Sequence, residues 1–337
     1  MPKVSVITPS YNHARFLPER VASIFGQTFK DFEWIIIDDC STDGSQEVLL
    51  RLVNEDPRVT LLFHDQNAGM AKTTREAIEA SSGKYVYRAE SDDVCHPDFL
   101  ERMVQVLDAH PQVGFAYCRG LHMDEEGNLW GGLHQGKEDS IYKGTEFFSS
   151  LAMGNFIPGP NIVFTRQAHD LVGGFGLGPF QVGCDWHFSL RLCLQFDVAY
   201  VTEPLGYHRT HSSNLSGALG RTFNLDMLFN ESYGLLMDIF ESIPDELSIL
   251  RELKKPALRR ITLRAAAPTF TRAILNRQWE VAWQIVAGVN RYDPGITKAA
   301  WFGACIRSLV FNIGYVNLYT PMARLISRCR STARIGN

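Results

Sequence analysis

The fold of this chain is constrained most by a regular alternation between short apolar runs and longer segments whose apolar residues recur at helical spacing. Between residue 4 and about residue 201, runs of strand length lie at residues 4–8, 34–37, 59–63, 84–88 and 113–118. Helical segments separate them, such as the one carrying Leu17, Val21 and Ile24 and the one that we expect to begin at Pro97. Repeated strand–helix–strand units predict an α/β domain with a largely parallel sheet flanked by helices.

The second half of the chain loses this alternation in two steps. Residues 120–180 are rich in glycine and contain the Pro-Gly-Pro turn 158–160, so we expect loops there, of the kind that often carries specificity. After about residue 220 strand patterns stop, and helices are predicted with breaks near Pro244, Pro256, Pro268, Pro294 and Pro321. For a chain of 337 residues we predict one domain over residues 1–220 and a mainly helical region over residues 221–337.

The net charge of −4 conceals an asymmetry between the two parts of the chain. Residues 251–337 hold fifteen Lys or Arg against Glu252, Glu280 and Asp293, which gives +12 there and leaves −16 for residues 1–250. An acidic front part argues against a nucleic-acid ligand. The basic end predicts contact with an anionic surface, and both a membrane and the acidic domain of the same chain fit that description.

Cysteine usage and the N-terminus bear on the compartment. The seven cysteines form an odd number and include no C-x-x-C pair, which favours reduced thiols over a zinc cluster. Met1, Pro2 and Lys3 lead directly into an apolar strand, without the basic, apolar and small-residue succession of a signal peptide. We therefore expect a cytoplasmic protein, and the basic end adds the expectation of peripheral contact with the inner face of the plasma membrane.

Polar residues follow three of the predicted strands, in the stretches 8–12 (Thr-Pro-Ser-Tyr-Asn), 38–44 (Asp-Asp-Cys-Ser-Thr-Asp-Gly) and 90–93 (Glu-Ser-Asp-Asp). A single Asp in such a place is more often a helix cap or turn residue, but ligands collect where the carboxyl ends of parallel strands meet. Asp92 and Asp93 suit Mg²⁺ or Mn²⁺, which would neutralise a bound diphosphate. The sequence contains neither a G-x-x-x-x-G-K-S/T loop nor a G-x-G-x-x-G turn after the first strand, so P-loop and dinucleotide-binding proteins lose their main support.

Five stretches together resemble the family 2 inverting glycosyltransferases of GT-A fold. They are residues 4–12 (Val-Ser-Val-Ile-Thr-Pro-Ser-Tyr-Asn), 27–28 (Gln-Thr), 37–44 (Ile-Asp-Asp-Cys-Ser-Thr-Asp-Gly), 67–69 (Asn-Ala-Gly) and 91–93 (Ser-Asp-Asp). They occur in the family's order and at its usual intervals, and the resemblance covers roughly residues 3–216. It implies the GT-A nucleotide-diphospho-sugar transferase fold, a Rossmann-like mixed sheet flanked by helices, followed here by the mainly helical region.

The resemblance also implies roles for residues around the nucleotide. Thr8, Pro9 and Tyr11 would line the base pocket, with Tyr11 stacked on the base. Asp39 would accept a hydrogen bond from the uracil imide, which favours UDP as the carrier. The pair Thr74-Arg75 departs from the family's Arg-Asn, so no nucleotide contact is assigned to it.

At the diphosphate, the resemblance implies that Asp93 is the direct metal ligand and that Asp92 faces the ribose or the metal. The stretch 208–216 (His-Arg-Thr-His-Ser-Ser-Asn-Leu-Ser) is similar to the family's Arg-x-His-x-x-Asn-x-Ser. Arg209 and His211 would then reach the diphosphate or the metal. An isolated histidine is more often a surface or cap residue, and that alternative stays open.

The stretch 184–192 (Cys-Asp-Trp-His-Phe-Ser-Leu-Arg-Leu) is similar to the family's Glu-Asp-x-x-Leu-x-x-Arg helix start. Asp185 falls in the place of the catalytic base, and Cys184 replaces the usual Glu. The alternative for Asp185 is a plain N-cap of a helix over residues 186–195.

The implied function is inverting transfer of a hexosyl or N-acetylhexosaminyl group from a UDP-sugar. The acceptor would be a saccharide or lipid-linked saccharide in bacterial surface polysaccharide or glycoconjugate assembly. One alternative is a sugar-nucleotide-binding protein that has lost catalysis, which the replacement by Cys184 keeps open. Another is a nucleotidyltransferase of related fold, which should carry a Gly-rich loop after the first strand, and residues 8–12 form no such loop.

The basic C-terminal region contains a candidate membrane contact at residues 299–323, where Arg307 is the only charged residue. Asn312, Asn317 and Pro321 interrupt the apolar pattern and argue against a membrane-spanning helix. Apolar residues at helical spacing and the flanking Arg suit a helix lying in an anionic interface, with this stripe: Phe302, Ile306, Leu309, Ile313 and Val316. Packing on the catalytic domain or a homodimer contact would explain the same stripe, and both stay open.

Overall fold

The computed structural model describes residues 1–53, 56–133, 136–212, 214, 230–292, 301 and 305. The chain divides into two compact units, one of residues 1–224 and 234–254 and the other of residues 225–233 and 255–337. The predicted domain boundary at residue 220 and the apolar stripe at residues 302–316 lie outside the described residues, so both stay predictions. Among the described residues, no helix is both long and apolar enough to cross a membrane.

Ten strands of the described residues form one sheet. They are β1 (Val4–Ser10), β2 (Phe32–Asp38), β3 (Val59–Phe63), β4 (Tyr85–Arg88), β5 (Val94–Cys95), β6 (Val113–Met123), β7 (Leu129–Leu133), β8 (Ser140–Tyr142), β9 (Ile162–Thr165) and β10 (Asp197–Arg209). The strand order is β3-β2-β1-β4-β9-β6-β10-β5, with β7 paired to β6 and β8 paired to β10. The apolar runs found in the sequence are confirmed as strands because consecutive residues such as Trp34 to Ile37 are buried on both faces of the sheet.

The sheet is mixed, as the GT-A resemblance implies, and not largely parallel, as the strand–helix alternation alone predicts, because β5, β7, β8 and β9 all pair antiparallel. Strands β3, β2, β1 and β4 run parallel to one another, and β10 runs parallel to β6. Strand β9 lies between β4 and β6 and is antiparallel to both. Strands β4 and β6 therefore point the same way, and their carboxyl ends lie at the same edge of the sheet as those of β1 and β2.

Seven helices lie between residues 17 and 193 of the described chain, among these strands. They are α1 (Leu17–Phe25), α2 (Ser45–Leu52), α3 (Met70–Glu79), α4 (Phe99–Ala109), α5 (Gly144–Leu151), α6 (Arg166–Leu171) and α7 (Cys184–Cys193). Apolar residues of α1, α2 and α4 pack with those of β1, β2 and β4 into one buried core, which includes Leu17, Trp34 and Phe99. The core fixes the strand ends on which the candidate site is built.

The remaining described chain is helical. It contains α8 (Leu235–Glu241), a 3₁₀ segment (Asp245–Leu253), α9 (Lys254–Leu275) and α10 (Trp279–Tyr292). The predicted helix breaks at Pro256 and Pro268 are wrong, because the backbone of α9 is helical through both. Pro256 falls in the first turn, where its missing N–H needs no partner. Pro268 lies in the helix interior, where a proline costs about 3 kcal/mol relative to alanine, and the neighbouring Ala266 and Ala267 are buried.

Two expectations about the first unit are also corrected. Helix α4 begins at Phe99 rather than at Pro97, because the Phe99 N–H bonds to the His96 carbonyl and Pro97 lies in that tight turn. Residues 120–180 contain β7, β8, α5, β9 and α6 in addition to loops. The Pro-Gly-Pro turn is present as a 3₁₀ turn (Gly159–Asn161) that leads directly into β9.

Candidate functional site

The three polar strand ends found in the sequence lie side by side. Strand β1 pairs with β2 on one side and with β4 on the other, so their carboxyl ends form one edge of the sheet. The Asn12 N–H donates to the Ser41 hydroxyl at 2.8 Å, which joins the loops after β1 and β2. The His13 ring joins the loop after β1 to the one after β4, with Nδ1 2.7 Å from the Ser91 hydroxyl.

Asp39 lies at the end of β2 with its carboxylate buried. The backbone N–H groups of Ala68 and Gly69 donate to this carboxylate at 2.7 and 2.8 Å, just before α3 begins. Gly69 has φ +85°, a left-handed conformation that favours glycine. The Asn-Ala-Gly stretch therefore holds Asp39 in place, while the contact of Asp39 with a base stays a prediction.

His64 is a functional candidate that the sequence did not single out. Its Nδ1 lies 2.7 Å from the Asp39 carboxylate, and its Nε2 lies 2.7 Å from the Glu76 carboxylate on α3. Burial lowers the pKa of His64, but the hydrogen bonds to Asp39 and Glu76 outweigh it and raise the pKa above its ordinary value. The imidazole thus connects the Asp39 carboxylate to α3 and restricts its position.

The residues predicted to line the base pocket have different surroundings. The Thr8 hydroxyl accepts a hydrogen bond from the Trp34 indole at 2.9 Å, and the residue is fully buried. The Thr8 side chain thus lies in the core, so only its backbone remains to line a pocket. Pro9 is half-buried, and Tyr11 is exposed beside it. Stacking of Tyr11 on a base stays a prediction.

An acidic cluster formed by Glu90, Asp92 and Asp93 follows β4. One carboxylate oxygen from each lies within 4.8 Å of the others, and His13, Asp92 and His211 form a second such group. The Asp93 carboxylate accepts the Arg209 backbone N–H at 2.7 Å. Asp92 is shared by both groups, and its carboxylate lies 2.9 Å from His211 Nε2.

Electrostatics at the acidic cluster favour a cation. Burial and the neighbouring Asp93 and Asp92 raise the pKa of Glu90 to about 7, against the opposing charge of Arg88. Burial alone would lower the pKa of His208, but the charge and hydrogen bond of Asp93 raise it to about 9. Three crowded oxygen donors suit Mg²⁺ or Mn²⁺, which would relieve this excess of negative charge. The residues present therefore fit a hard divalent cation.

Arg209 lies beneath this cluster, with its side chain almost completely buried. Its Nε donates to the Asp92 carbonyl at 2.8 Å, and its Nη1 donates to the Asp124 carbonyl at 3.1 Å. The guanidinium also pairs with Glu19 on α1. This arrangement gives Arg209 a part in positioning the Asp92-Asp93 turn, while its contact with a diphosphate stays a prediction.

Asp185 is the second residue of α7. The N-cap of that helix is Gly183, without a side-chain cap, so the interpretation of Asp185 as a plain N-cap is wrong. Helix α7 begins at Cys184, two residues earlier than that interpretation requires. The Cys184 side chain is fully buried, with Sγ 3.9 Å from Met70 Sδ.

Arg88 links Asp185 to the acidic cluster. Its Nη2 lies 2.6 Å from the Glu90 carboxylate and 3.6 Å from the Asp185 carboxylate, which is 21% exposed. Its guanidinium also lies over the Phe175 ring, 5.4 Å from the centroid. Burial raises the pKa of Asp185, and the charge of Arg88 opposes that rise. Sequence reasoning missed Arg88, and only its place as a charged residue inside a buried strand could have indicated it.

Comparisons with known proteins identify the family of this chain. The family model described as glycosyl transferase family 2 matches residues 5–172. The putative teichuronic acid biosynthesis glycosyltransferase TuaG of Bacillus subtilis is 38% identical over 106 residues, 32% of this chain and 42% of that protein. The chondroitin synthase of Escherichia coli is 29% identical over 175 residues, 52% of this chain and 24% of that protein. The chain thus matches less than half the length of each of these relatives.

Solved structures share the fold. The Staphylococcus aureus TarS fragment 1–349 in complex with UDP-GlcNAc is 16% identical with a TM-score of 0.66, covering 93% of this chain and 92% of that one. The mannosyltransferase PcManGT of Pyrobaculum calidifontis, in complex with GDP-Man and Mn²⁺, is 20% identical with a TM-score of 0.51, covering 93% and 87%. The GT-A fold implied by the resemblance is confirmed, and the chain belongs to glycosyl transferase family 2.

Proposed function

We propose that this protein transfers a sugar from a UDP-sugar to an acceptor hydroxyl with inversion at the anomeric carbon. The observation that carries the proposal is the partly exposed carboxylate of Asp185, held 3.6 Å from Arg88, which also contacts Glu90 in the acidic cluster. Arg88 thus links the proposed base, in the first turn of α7, to the acidic cluster after β4, which is the proposed cation site. Catalytic bases commonly have a pKa raised by burial, as Asp185 has.

The proposed reaction is one displacement. Asp185 accepts the proton of the acceptor hydroxyl while the hydroxyl oxygen forms a bond to the anomeric carbon. The bond from that carbon to the diphosphate oxygen breaks on the opposite face, and the electron pair leaves with UDP. Because attack and departure occur on opposite faces, the anomeric configuration inverts.

A divalent cation, Mg²⁺ or Mn²⁺, would be held by Asp93, with His211 and the other carboxylates of the cluster nearby. When bound, it would neutralise the charge that develops on the departing diphosphate. Asp92 would face the ribose or the same cation. The Arg209 guanidinium orients this turn through its bonds to the Asp92 and Asp124 carbonyls.

The choice of UDP rests on Asp39. Its carboxylate is fixed by two backbone N–H groups and His64, and a fixed acceptor suits the donor N–H of a uracil imide. The TarS fragment, which shares the fold, binds UDP-GlcNAc, and a hexosyl or N-acetylhexosaminyl donor is therefore proposed here. PcManGT binds GDP-Man, so a guanine nucleotide is the competing outcome that a donor screen must include.

The acceptor is proposed to be a saccharide or a lipid-linked saccharide. Relatives named for teichuronic acid biosynthesis and chondroitin synthesis support a setting in polysaccharide or glycoconjugate assembly. The charge of +12 over residues 251–337 supports peripheral attachment to an anionic membrane, with a homodimer contact as the competing explanation. Co-sedimentation of the full chain with anionic liposomes at low salt, lost at high salt, would support attachment, and no co-sedimentation at low salt would contradict it.

The experiment that tests the function is a donor screen. Release of nucleoside diphosphate is measured from UDP-, GDP-, ADP- and dTDP-sugars with Mn²⁺, with and without a panel of acceptor glycosides. The proposed function requires release from a UDP-sugar that increases with an acceptor. The replacement of a family Glu by Cys184 favours a second candidate, a sugar-nucleotide-binding protein without catalysis. That candidate requires UDP-sugar binding without any release.

A further inference from the structure

Trp130, on β7, presents a large aromatic side chain that is 50% exposed. A tryptophan usually buries its ring, and an exposed ring that is held rigidly is a common feature of binding surfaces. The pairing of β7 with β6 fixes the position of this ring, because Trp130 lies directly opposite His122. The two rings stack with centroids 4.6 Å apart and planes inclined by 24°. We name Trp130 and His122 the aromatic platform.

The aromatic platform is continuous with the acidic cluster. The His122 ring lies edge-on to the His208 ring, with centroids 6.3 Å apart. His208 Nδ1 in turn lies 3.3 Å from the Asp93 carboxylate. A row of three rings thus leads from an exposed surface to the carboxylate that is proposed to hold the cation.

In the strand order, the aromatic platform and the proposed nucleotide contacts lie on opposite sides of the acidic cluster. Strands β1 and β2, which carry the proposed base contacts, lie on one side of β4 and its acidic cluster. Strand β6 lies on the other side, separated from β4 by β9. Because β6 points the same way as β4, His122 near its carboxyl end lies at the same edge of the sheet. A ligand on the aromatic platform would approach the acidic cluster from the side opposite the proposed nucleobase contacts.

We propose that the aromatic platform is an acceptor subsite that binds a pyranose ring of the acceptor saccharide. This inference rests on the proposed function and adds the place where the acceptor binds. A pyranose has one face of C–H groups that stacks on an indole ring, while its hydroxyls keep contact with water and polar groups at the rim. His208, which is 28% exposed beside the platform, supplies such a polar group.

The test measures saccharide binding directly. Saturation-transfer NMR is recorded with methyl α- and β-glycosides of glucose, galactose, N-acetylglucosamine and N-acetylgalactosamine, in the presence of UDP and Mn²⁺. The full chain is compared with Trp130→Ala, with Trp130→Phe, which keeps an aromatic face, and with Leu129→Ala. Leu129 is the matched control because it is 46% exposed on the same strand, and successive strand residues point to opposite faces.

The wild type, Trp130→Phe and Leu129→Ala are expected to bind at least one glycoside, with the strongest transfer to the ring C–H protons. Trp130→Ala is expected to weaken that binding about tenfold or more, equivalent to about 1.4 kcal/mol. Absence of transfer in the wild type, or an unchanged dissociation constant in Trp130→Ala, would overturn the proposal. So would a change of oligomeric state in Trp130→Ala seen by light scattering, since a second copy would then cover the ring.

The affinity for UDP separates this inference from the proposed function. All four proteins are expected to bind UDP equally, which also shows that each variant is folded. If none binds UDP, the proposed donor site is wrong whatever the glycosides do. If all bind UDP and the glycosides bind irrespective of Trp130, the donor site stands and the acceptor subsite is wrong.

Discussion

Replacement of Arg88 by methionine tests how the proposed catalytic base is kept ionised. The Arg88 guanidinium is almost fully buried, and its Nη2 lies 3.6 Å from the Asp185 carboxylate. Methionine fills a similar space without a charge. The substitution leaves Asp185 half-buried but removes the positive charge that opposes the rise of its pKa. The pKa of Asp185 should therefore rise further.

The distance gives the size of the effect. Two unit charges 3.6 Å apart interact by about 1 kcal/mol at the dielectric constant of water and about 5 kcal/mol at an effective value of 20. Asp185 is 21% exposed, so the effect should lie between these limits. Each 1.4 kcal/mol lowers the ionised fraction about tenfold at a pH below the pKa. We expect a rate loss of about tenfold to a thousandfold on the acid side of the pH profile.

The assay is the pH profile of kcat/KM for acceptor-dependent UDP release. A base works only when ionised, so activity falls as the pH drops through its pKa, and in Arg88→Met this fall should occur at higher pH than in the wild type. At high pH the variant should recover much of its activity. Arg58→Met is the matched control, since Arg58 pairs with Asp56 at the opposite edge of the sheet. Coincident acid limbs in the wild type and Arg88→Met would refute the role given to Arg88.

Three further predictions concern the cation, the base pocket and the fold. Asp93→Ala should lower both UDP affinity and turnover, and EDTA should inhibit the wild type; full activity in EDTA would show that no cation is needed. His64→Leu should raise the dissociation constant for UDP roughly tenfold, because Asp39 loses a charge-assisted hydrogen bond, whereas unchanged calorimetric affinity would exclude that role. Gly206→Ala should lower the free energy of unfolding by about 1–3 kcal/mol, because a Cβ at this position would clash with the buried Asn161 side chain. Chemical denaturation measures this difference, and equal stability of the variant and the wild type would contradict the prediction.

The local sequence pattern was sufficient to predict the first four strands, but not β9 or the continuous helix α9. The first four strands could be placed within two residues at each end because each is a short, mostly apolar run, buried in β1, β2 and β4 and partly exposed in β3 at the end of the strand order. Strand β9 was not predicted, since its four residues follow a Pro-Gly-Pro turn and its place between β4 and β6 is a long-range pairing. Helix α9 was predicted as broken because local propensity at Pro268 does not include the packing of the whole helix.

The residues of the candidate site also divide into those that a local motif predicts and those that only the folded chain brings together. Asp39, Asp92, Asp93 and Asp185 could be named because each lies within a short motif. The residues that set their electrostatics come from distant parts of the chain. Arg88 approaches Asp185 only when β4 and α7 are folded together, and His208 reaches Asp93 only through the pairing of β10 with β5. Such contacts depend on tertiary structure, which no local pattern contains.

The most direct test of the proposed function is the turnover of Asp185→Asn under saturating acceptor and UDP-sugar. The amide occupies nearly the same volume as the carboxylate but cannot accept the hydroxyl proton. A positioned base contributes about 10² to 10⁴ in rate, so turnover should fall by that factor while the dissociation constant for UDP stays unchanged. Wild-type turnover in Asp185→Asn, with UDP bound as tightly as before, would contradict the assignment of Asp185 as the catalytic base.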